Sequence, residues 1–139
     1  MPVRTFVDTG VLIAAFRGDE KLRSAAEQVL DDPDRVFVTS DFVSLELLPK
    51  ARYNKHADEV AFYQTFLAAS TETVHASETL IADAHTQAAG AGLAAMDALH
   101  VAAARQANAA ELVTAERPTK PMFRVGNPTV RSIRPVKCC

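Results

Sequence analysis

The chain has 139 residues, 48% of them hydrophobic and 23% charged, a globular balance that excludes a disordered, collagenous or coiled-coil chain. No apolar run reaches the ~18 residues of a membrane span, and Asp8 closes the first run too early for a secretory leader, so the cytoplasm is the expected compartment. The net charge of −2 is uneven: residues up to Glu116 carry −8, and the stretch from Arg117 onward carries +6 with no acid.

Val3 to Val7 reads as a short strand that ends at Asp8, and Val11 to Phe16 as a helical turn or two broken by Gly18. Leu22, Ala25, Ala26, Val29 and Leu30 repeat at helical spacing and stop before Pro33. Val36 to Thr39 is a second strand, followed by Ser40 or Asp41 as the cap of a helix with Phe42, Val43, Leu45, Leu47 and Leu48. Pro49 is expected to kink or end that helix, because it removes a backbone donor and crowds the carbonyl of Leu45. A helix with Val60, Phe62, Tyr63, Phe66 and Leu67 comes next, and its large apolar residues suggest an interface with a second copy of the chain. A strand at Thr73-Val74 precedes an Ala-rich helix capped by Ser77 and stopped at Ala89 by Gly90 and Gly92. Ala94 to Ala107 is the last helix; Leu112 to Thr114 and Val130 to Arg134 are the last strands, separated by an irregular stretch with Pro118, Pro121, Gly126 and Pro128. Alternation of this kind predicts one α/β domain over 1–139, with a mostly parallel central sheet, helices on both faces, and a basic, partly irregular region at 117–139.

In such a sheet, ligands bind outside the carboxyl ends of the strands, where Asp8 and Glu116 fall. Glu46 and Asp97 sit among apolar residues at helical spacing, which aims both toward the packed side. Acids there need a partner, and no Lys or Arg lies within a turn of Asp97. For Glu46 a surface pair with Lys50, four residues on, stands as the structural alternative. Converging carboxylates repel unless a cation joins them, and oxygen ligands alone point to Mg²⁺ or Mn²⁺. His100, one turn beyond Asp97, reads as a hydrogen-bonded core histidine. Adjacent Cys138 and Cys139 close no loop and make no zinc site; the pair is similar to a prenylation end, but no phosphate loop accompanies it, and a reduced tail is expected.

Phe6-Val7-Asp8-Thr9-Gly10-Val11-Leu12-Ile13, Ser44-Leu45-Glu46-Leu47 and Met96-Asp97-Ala98-Leu99-His100-Val101-Ala102-Ala103-Ala104 resemble, in order and separation, the three acidic motifs of PIN domains. The resemblance spans the chain and implies a three-layer α/β fold in which Asp8, Glu46 and Asp97 bind Mg²⁺ or Mn²⁺ for RNA cleavage. Thr9 matches the small hydroxyl residue of the first motif, and Thr114 that of the fourth. The fourth motif departs from the family at Glu116, where Asp or Asn is usual, and at Phe123, which comes late. The resemblance further implies an endoribonuclease that uses metal-activated water and leaves a 3′-hydroxyl and a 5′-phosphate. At this length it implies the toxin of a toxin–antitoxin pair, VapC-like, homodimeric and silenced by its antitoxin. The alternative is a non-catalytic PIN-like module that binds RNA or protein. Asp8-Thr9-Gly10 also looks like the aspartic-protease triplet, but that fold is all β, and Gly10 stands where an aspartate-nucleophile phosphatase needs a second acid. With no Trp and two Tyr, base stacking has few platforms. RNA contacts are therefore expected from Lys50, Arg52, Lys55, Arg117, Lys120 and Arg124, against the plainer reading of a solvated basic surface.

Overall fold

The computed structural model describes residues 2–134, so Lys137, Cys138 and Cys139 lie outside the described residues. Strands β1 (Val3–Val7), β2 (Arg35–Ser40), β3 (Glu72–Val74), β4 (Glu111–Thr114) and β5 (Thr129–Ser132) form one sheet in the order β3-β2-β1-β4-β5. Every pairing is parallel, with Phe6 opposite Val38 on one side and Val7 opposite Val113 on the other. A wholly parallel sheet must be covered on both faces, and Phe6, Val7, Val38, Leu112 and Val113 are accordingly buried.

Six helices cover it: α1 (Thr9–Arg17), α2 (Glu20–Leu30), α3 (Asp41–Tyr53), α4 (Ala57–Ala69), α5 (Glu78–Ala91) and α6 (Ala95–Gln106). The chain steps from β1 to β2 to β3 in one direction, then returns over the sheet to β4. Right-handed crossovers therefore put α1 to α4 on one face and α5 and α6 on the other, giving three layers. The packing of α1 on α2, α3 on α4 and α5 on α6 agrees. The two helical layers touch where α3 meets α6. The strand order reverses between β1 and β4, and that switch point opens a crevice at their carboxyl ends.

Local chemistry sets most boundaries. Ser40 accepts from the amides of Phe42 and Val43, Ser77 from Leu80, and Asp19 from Leu22, each satisfying donors that a first helical turn leaves free. Helix α1 begins at Thr9, earlier than the apolar pattern predicts, because the Asp8 side chain caps it. Pro49 neither ends nor caps α3, which runs on to Tyr53. It lies on the exposed side of the helix with Leu45, which is 65% exposed. The apolar residues of α4 turn inward: Phe66 stacks near Phe37, Phe62 near Phe16, and Tyr63 is buried. Val60, Phe62, Phe66 and Leu67 pack on the core and stay partly exposed.

Gly90 lies inside α5, and Gly92 alone stops it, in the left-handed conformation at φ +71°. A Cβ at Gly90 meets nothing within 4 Å. Gly90→Ala is therefore expected to stabilise the protein by about 0.5–1 kcal/mol, and Gly92→Ala to destabilise it by about 1 kcal/mol or more. Denaturant melts of the two variants check the opposite signs.

Candidate active site

Asp8 follows β1, and its amide continues the ladder by donating to the Val113 carbonyl at 2.9 Å. This fixes the residue at the switch-point crevice. Its Oδ1 accepts the Thr9 amide at 2.7 Å, and its Oδ2 accepts the Thr114 hydroxyl, from the end of β4, at 2.9 Å. The Thr114 oxygen in turn accepts the Glu116 amide at 3.1 Å, which ties the loop after β4 to Asp8. Ser132 of β5 donates to the Glu116 carbonyl at 2.6 Å and holds that loop from the other side. A Cβ at Gly10 would lie 3.1 Å from the Ala115 Cβ, so glycine lets α1 and this loop approach closely.

Glu46 comes from the middle of α3 and Asp97 from the first turn of α6, so the two helical layers each contribute an acid over the sheet edge. Glu46 does not point into the packed side as its apolar neighbours suggest. Its side chain is 35% exposed at the rim, because Leu45 beside it faces solvent and α3 buries Val43, Leu47 and Leu48 instead. Asp8, Thr9, Gly10, Glu46, Asp97, His100, Thr114, Ala115 and Glu116 surround one hollow of about 150 Å³. The four acids singled out by sequence thus meet in one place, with both threonines.

His100 is the residue that sequence reasoning undervalued. It is buried, 1% exposed, with its ring 5.9 Å from that of Phe6, as a core histidine would be. Its Nε2, however, lies 2.6 Å from Glu46 Oε1 and 3.7 Å from Asp8 Oδ1. Ligating atoms of Asp8, Glu46 and His100 fall within 4.8 Å of one another. The i+3 spacing from Asp97 on α6 was the available signal, since it sets both side chains on one face.

The charges are unequal in their support. The His100 hydrogen bond outweighs the cost of burial and lowers the Glu46 pKa, with help from the Thr9 hydroxyl. Burial opposes a charge on His100, but the bond to Glu46 and the nearby Asp8 raise its pKa. Asp97 goes the other way: burial raises its pKa, and the charges of Asp8, Glu116 and Glu46 add to that. Among the described residues no Lys or Arg pairs with Asp8, Glu46, Asp97 or Glu116, although Arg4, Arg17, Arg35 and Arg105 all have acidic partners elsewhere. Excess negative charge around an oxygen-lined hollow suits a hard dication.

The predicted basic contacts are dispersed. Lys50 lines a second hollow of about 110 Å³ that shares Glu46 with the first, beside Arg17 and His56. Arg52 lies roughly 9 Å beyond Glu46 along the α3 axis, and Lys55 lies beyond the helix end. Arg117 and Lys120 are exposed past the Glu116 loop, while Arg124 donates to the Ala91 carbonyl at 3.3 Å at the end of α5.

A parallel sheet in order 3-2-1-4-5 with acids converging at its carboxyl switch point defines an α/β fold built around an acidic edge. The PIN domain profile matches residues 5–118, and the chain belongs to the PIN domain family. Three solved structures share the fold. A toxin–antitoxin complex from Klebsiella pneumoniae is 22% identical with a TM-score of 0.70, covering 95% of this chain and 99% of that one. VapBC2 from Rickettsia felis, bound to a DNA fragment from its promoter, is 18% identical with a TM-score of 0.68, covering 94% and 98%. FitAcB from Neisseria gonorrhoeae is 17% identical with a TM-score of 0.65, covering 93% and 97%. No curated protein matches the chain significantly. No helix among the described residues is long and apolar enough to cross a membrane.

The raised Asp97 pKa has a sign that can be tested. The folded protein holds this proton above the ordinary value of 3.8, so ionising Asp97 costs stability as pH rises through the raised pKa, and the cost is absent below the ordinary value. In metal-free buffer Asp97→Asn is expected to melt a few degrees above the unsubstituted protein near neutral pH. The gain should shrink toward zero by about pH 4. Paired thermal melts across that range measure it.

Proposed function

We propose that this chain is a metal-dependent endoribonuclease, the VapC-like toxin of a toxin–antitoxin pair acting in the cytoplasm. The observation that carries the proposal is the meeting of Asp8, Glu46, Asp97 and Glu116, from four separate stretches of chain, around one hollow without a Lys or Arg partner among the described residues. Asp8, Glu46 and Asp97 are the residues to hold Mg²⁺ or Mn²⁺, and Glu116 stands at the exposed rim beside them. A dication bound there would lower the pKa of water so that its deprotonated form is available as the nucleophile, and would supply positive charge for the phosphate oxygens. The chain's own part is orientation: Thr114 and the Thr9 amide hold the two oxygens of Asp8.

Hydrolysis by activated water needs no Ser, Cys or His nucleophile and leaves a 3′-hydroxyl and a 5′-phosphate. The flanking strand of RNA is read through its phosphates, with Lys50 beside the acids, Arg52 and Lys55 beyond it, and Arg117, Lys120 and Arg124 on the basic end. The toxin–antitoxin complexes among the similar folds support an antitoxin protein as partner. Pairing with a second copy of the chain belongs to the same reading. Light scattering at tens of micromolar is expected to report a dimer mass; a monomer mass removes the second copy.

The deciding experiment is cleavage of RNA by purified protein. Cleavage should require Mg²⁺ or Mn²⁺ and stop on chelation, and Asp8→Asn, Glu46→Gln and Asp97→Asn should each slow it roughly a hundredfold or more while remaining folded. Folded variants that cut as fast as the unsubstituted protein, or cleavage indifferent to chelator, would leave the non-catalytic binding module as the reading. Replacing Arg117, Lys120 and Arg124 by Gln should weaken RNA binding and reduce its salt slope by about 2. An unchanged slope returns them to solvated surface.

A further inference from the structure

Two donors converge on a single oxygen of Glu46. His100 Nε2 lies 2.6 Å from Oε1, and the Thr9 hydroxyl donates to the same atom at 3.1 Å. Both donors are anchored: Thr9 is the first residue of α1, and His100 is buried in α6 against Phe6. Glu46 is held less by packing, since its side chain is 35% exposed at the rim of the hollow. A long carboxylate in that position has many rotamers, and a cation that met it free would have to freeze them.

We infer that His100 is a positioning residue that, with Thr9, occupies Oε1 of Glu46 and so presents Oε2 as the oxygen available to a cation or to its water. The inference rests on the metal-dependent reading above, and it gives His100 the role of a second-layer donor rather than of a metal ligand. The buried Nδ1 of His100 has no hydrogen-bond partner among the described residues. Among the described residues the hydrogen bonding of the ring is therefore confined to its Nε2 side, toward the acids, while packing on Phe6 holds the ring in place. The geometry also distinguishes the inference from simple core filling: a phenylalanine keeps the packing on Phe6 and loses the donor, whereas a glutamine side-chain amide places a nitrogen donor near the position of Nε2.

The test is uptake of Mn²⁺ by the metal-free protein, followed by loss of the free-ion electron paramagnetic resonance signal, with circular dichroism melts to establish folding. His100→Phe is expected to bind Mn²⁺ roughly tenfold more weakly, His100→Gln within about threefold of the unsubstituted protein, and Thr9→Val several-fold more weakly. Mn²⁺ bound to the unsubstituted protein should show no coupling to a directly bound nitrogen. Thr9→Val, a near-isosteric change at the buried start of α1, carries the test should His100→Phe fail to fold: affinity equal to that of the unsubstituted protein would then overturn the inference. Equal affinities for His100→Phe and the unsubstituted protein, weakness in His100→Gln matching that of His100→Phe, or a directly bound nitrogen would each overturn it too. Asp97→Asn separates the two levels. If it loses Mn²⁺ while His100→Phe does not, only the positioning role fails; if the unsubstituted protein takes up no Mn²⁺, the metal-dependent reading fails and the positioning role with it.

Discussion

Like charges held together by the backbone are the constraint from which the rest of this structure follows. Asp8 and Thr114 end adjacent parallel strands, so the sheet itself brings the Asp8 and Glu116 stretches to one edge. Helices α3 and α6, packed from opposite faces, add Glu46 and Asp97. Two unit charges at ~4 Å repel by about 4 kcal/mol at an effective dielectric near 20, and folding must meet that cost. The structure meets it in part with neutral donors from Thr9 and Thr114 and with the buried imidazole of His100. Asp97, whose pKa is raised by burial and by its acidic neighbours, carries the remainder.

The opposite edge of the same sheet shows how this chain treats acids that have no such task. Arg35, with its side chain 6% exposed, bridges Glu111 at 2.7 Å and Asp32 at 3.2 Å and also donates to Thr5. Arg4 pairs with Glu72, and on the helical layer the buried Glu59 is met by Arg17, His56 and Tyr63. Arginine is therefore supplied where charge is only to be buried, and withheld where the acids converge. A buried carboxylate without a cationic partner is costly enough that a fold keeps it for a ligand more readily than for stability.

Much of this was legible in the residues. The strands at Val3 to Val7 and Leu112 to Thr114, and the caps at Ser40 and Ser77, followed from period and turn chemistry, because each is a local property. The convergence of Asp8, Glu46, Asp97 and Glu116 followed from the rule for carboxyl edges together with the resemblance to PIN domains. Three features were not legible, each for a tertiary reason. Pro49 sits inside a continuing helix, on its exposed side. Glu46 stands at the rim although its neighbours are apolar, since Leu45 is itself exposed. His100 looks like a core residue from its flanks and is one by burial, yet its Nε2 meets Glu46, fifty-four positions earlier on another layer. Periodicity assigns a face to a side chain, but it does not say which residue from elsewhere will meet it there.

On the proposed function, a divalent cation is the counter-charge that this edge lacks. A ligand that binds only the folded state raises stability by about 1.4 kcal/mol for every tenfold excess over its Kd. The most direct measurement is therefore the melting temperature of the unsubstituted protein and of Asp8→Asn across a titration of Mn²⁺ from micromolar to millimolar. The Tm is expected to climb by a few degrees per decade in the unsubstituted protein and to stay flat in Asp8→Asn. A Tm that ignores Mn²⁺ throughout, or that climbs equally in both proteins, would contradict the proposed function.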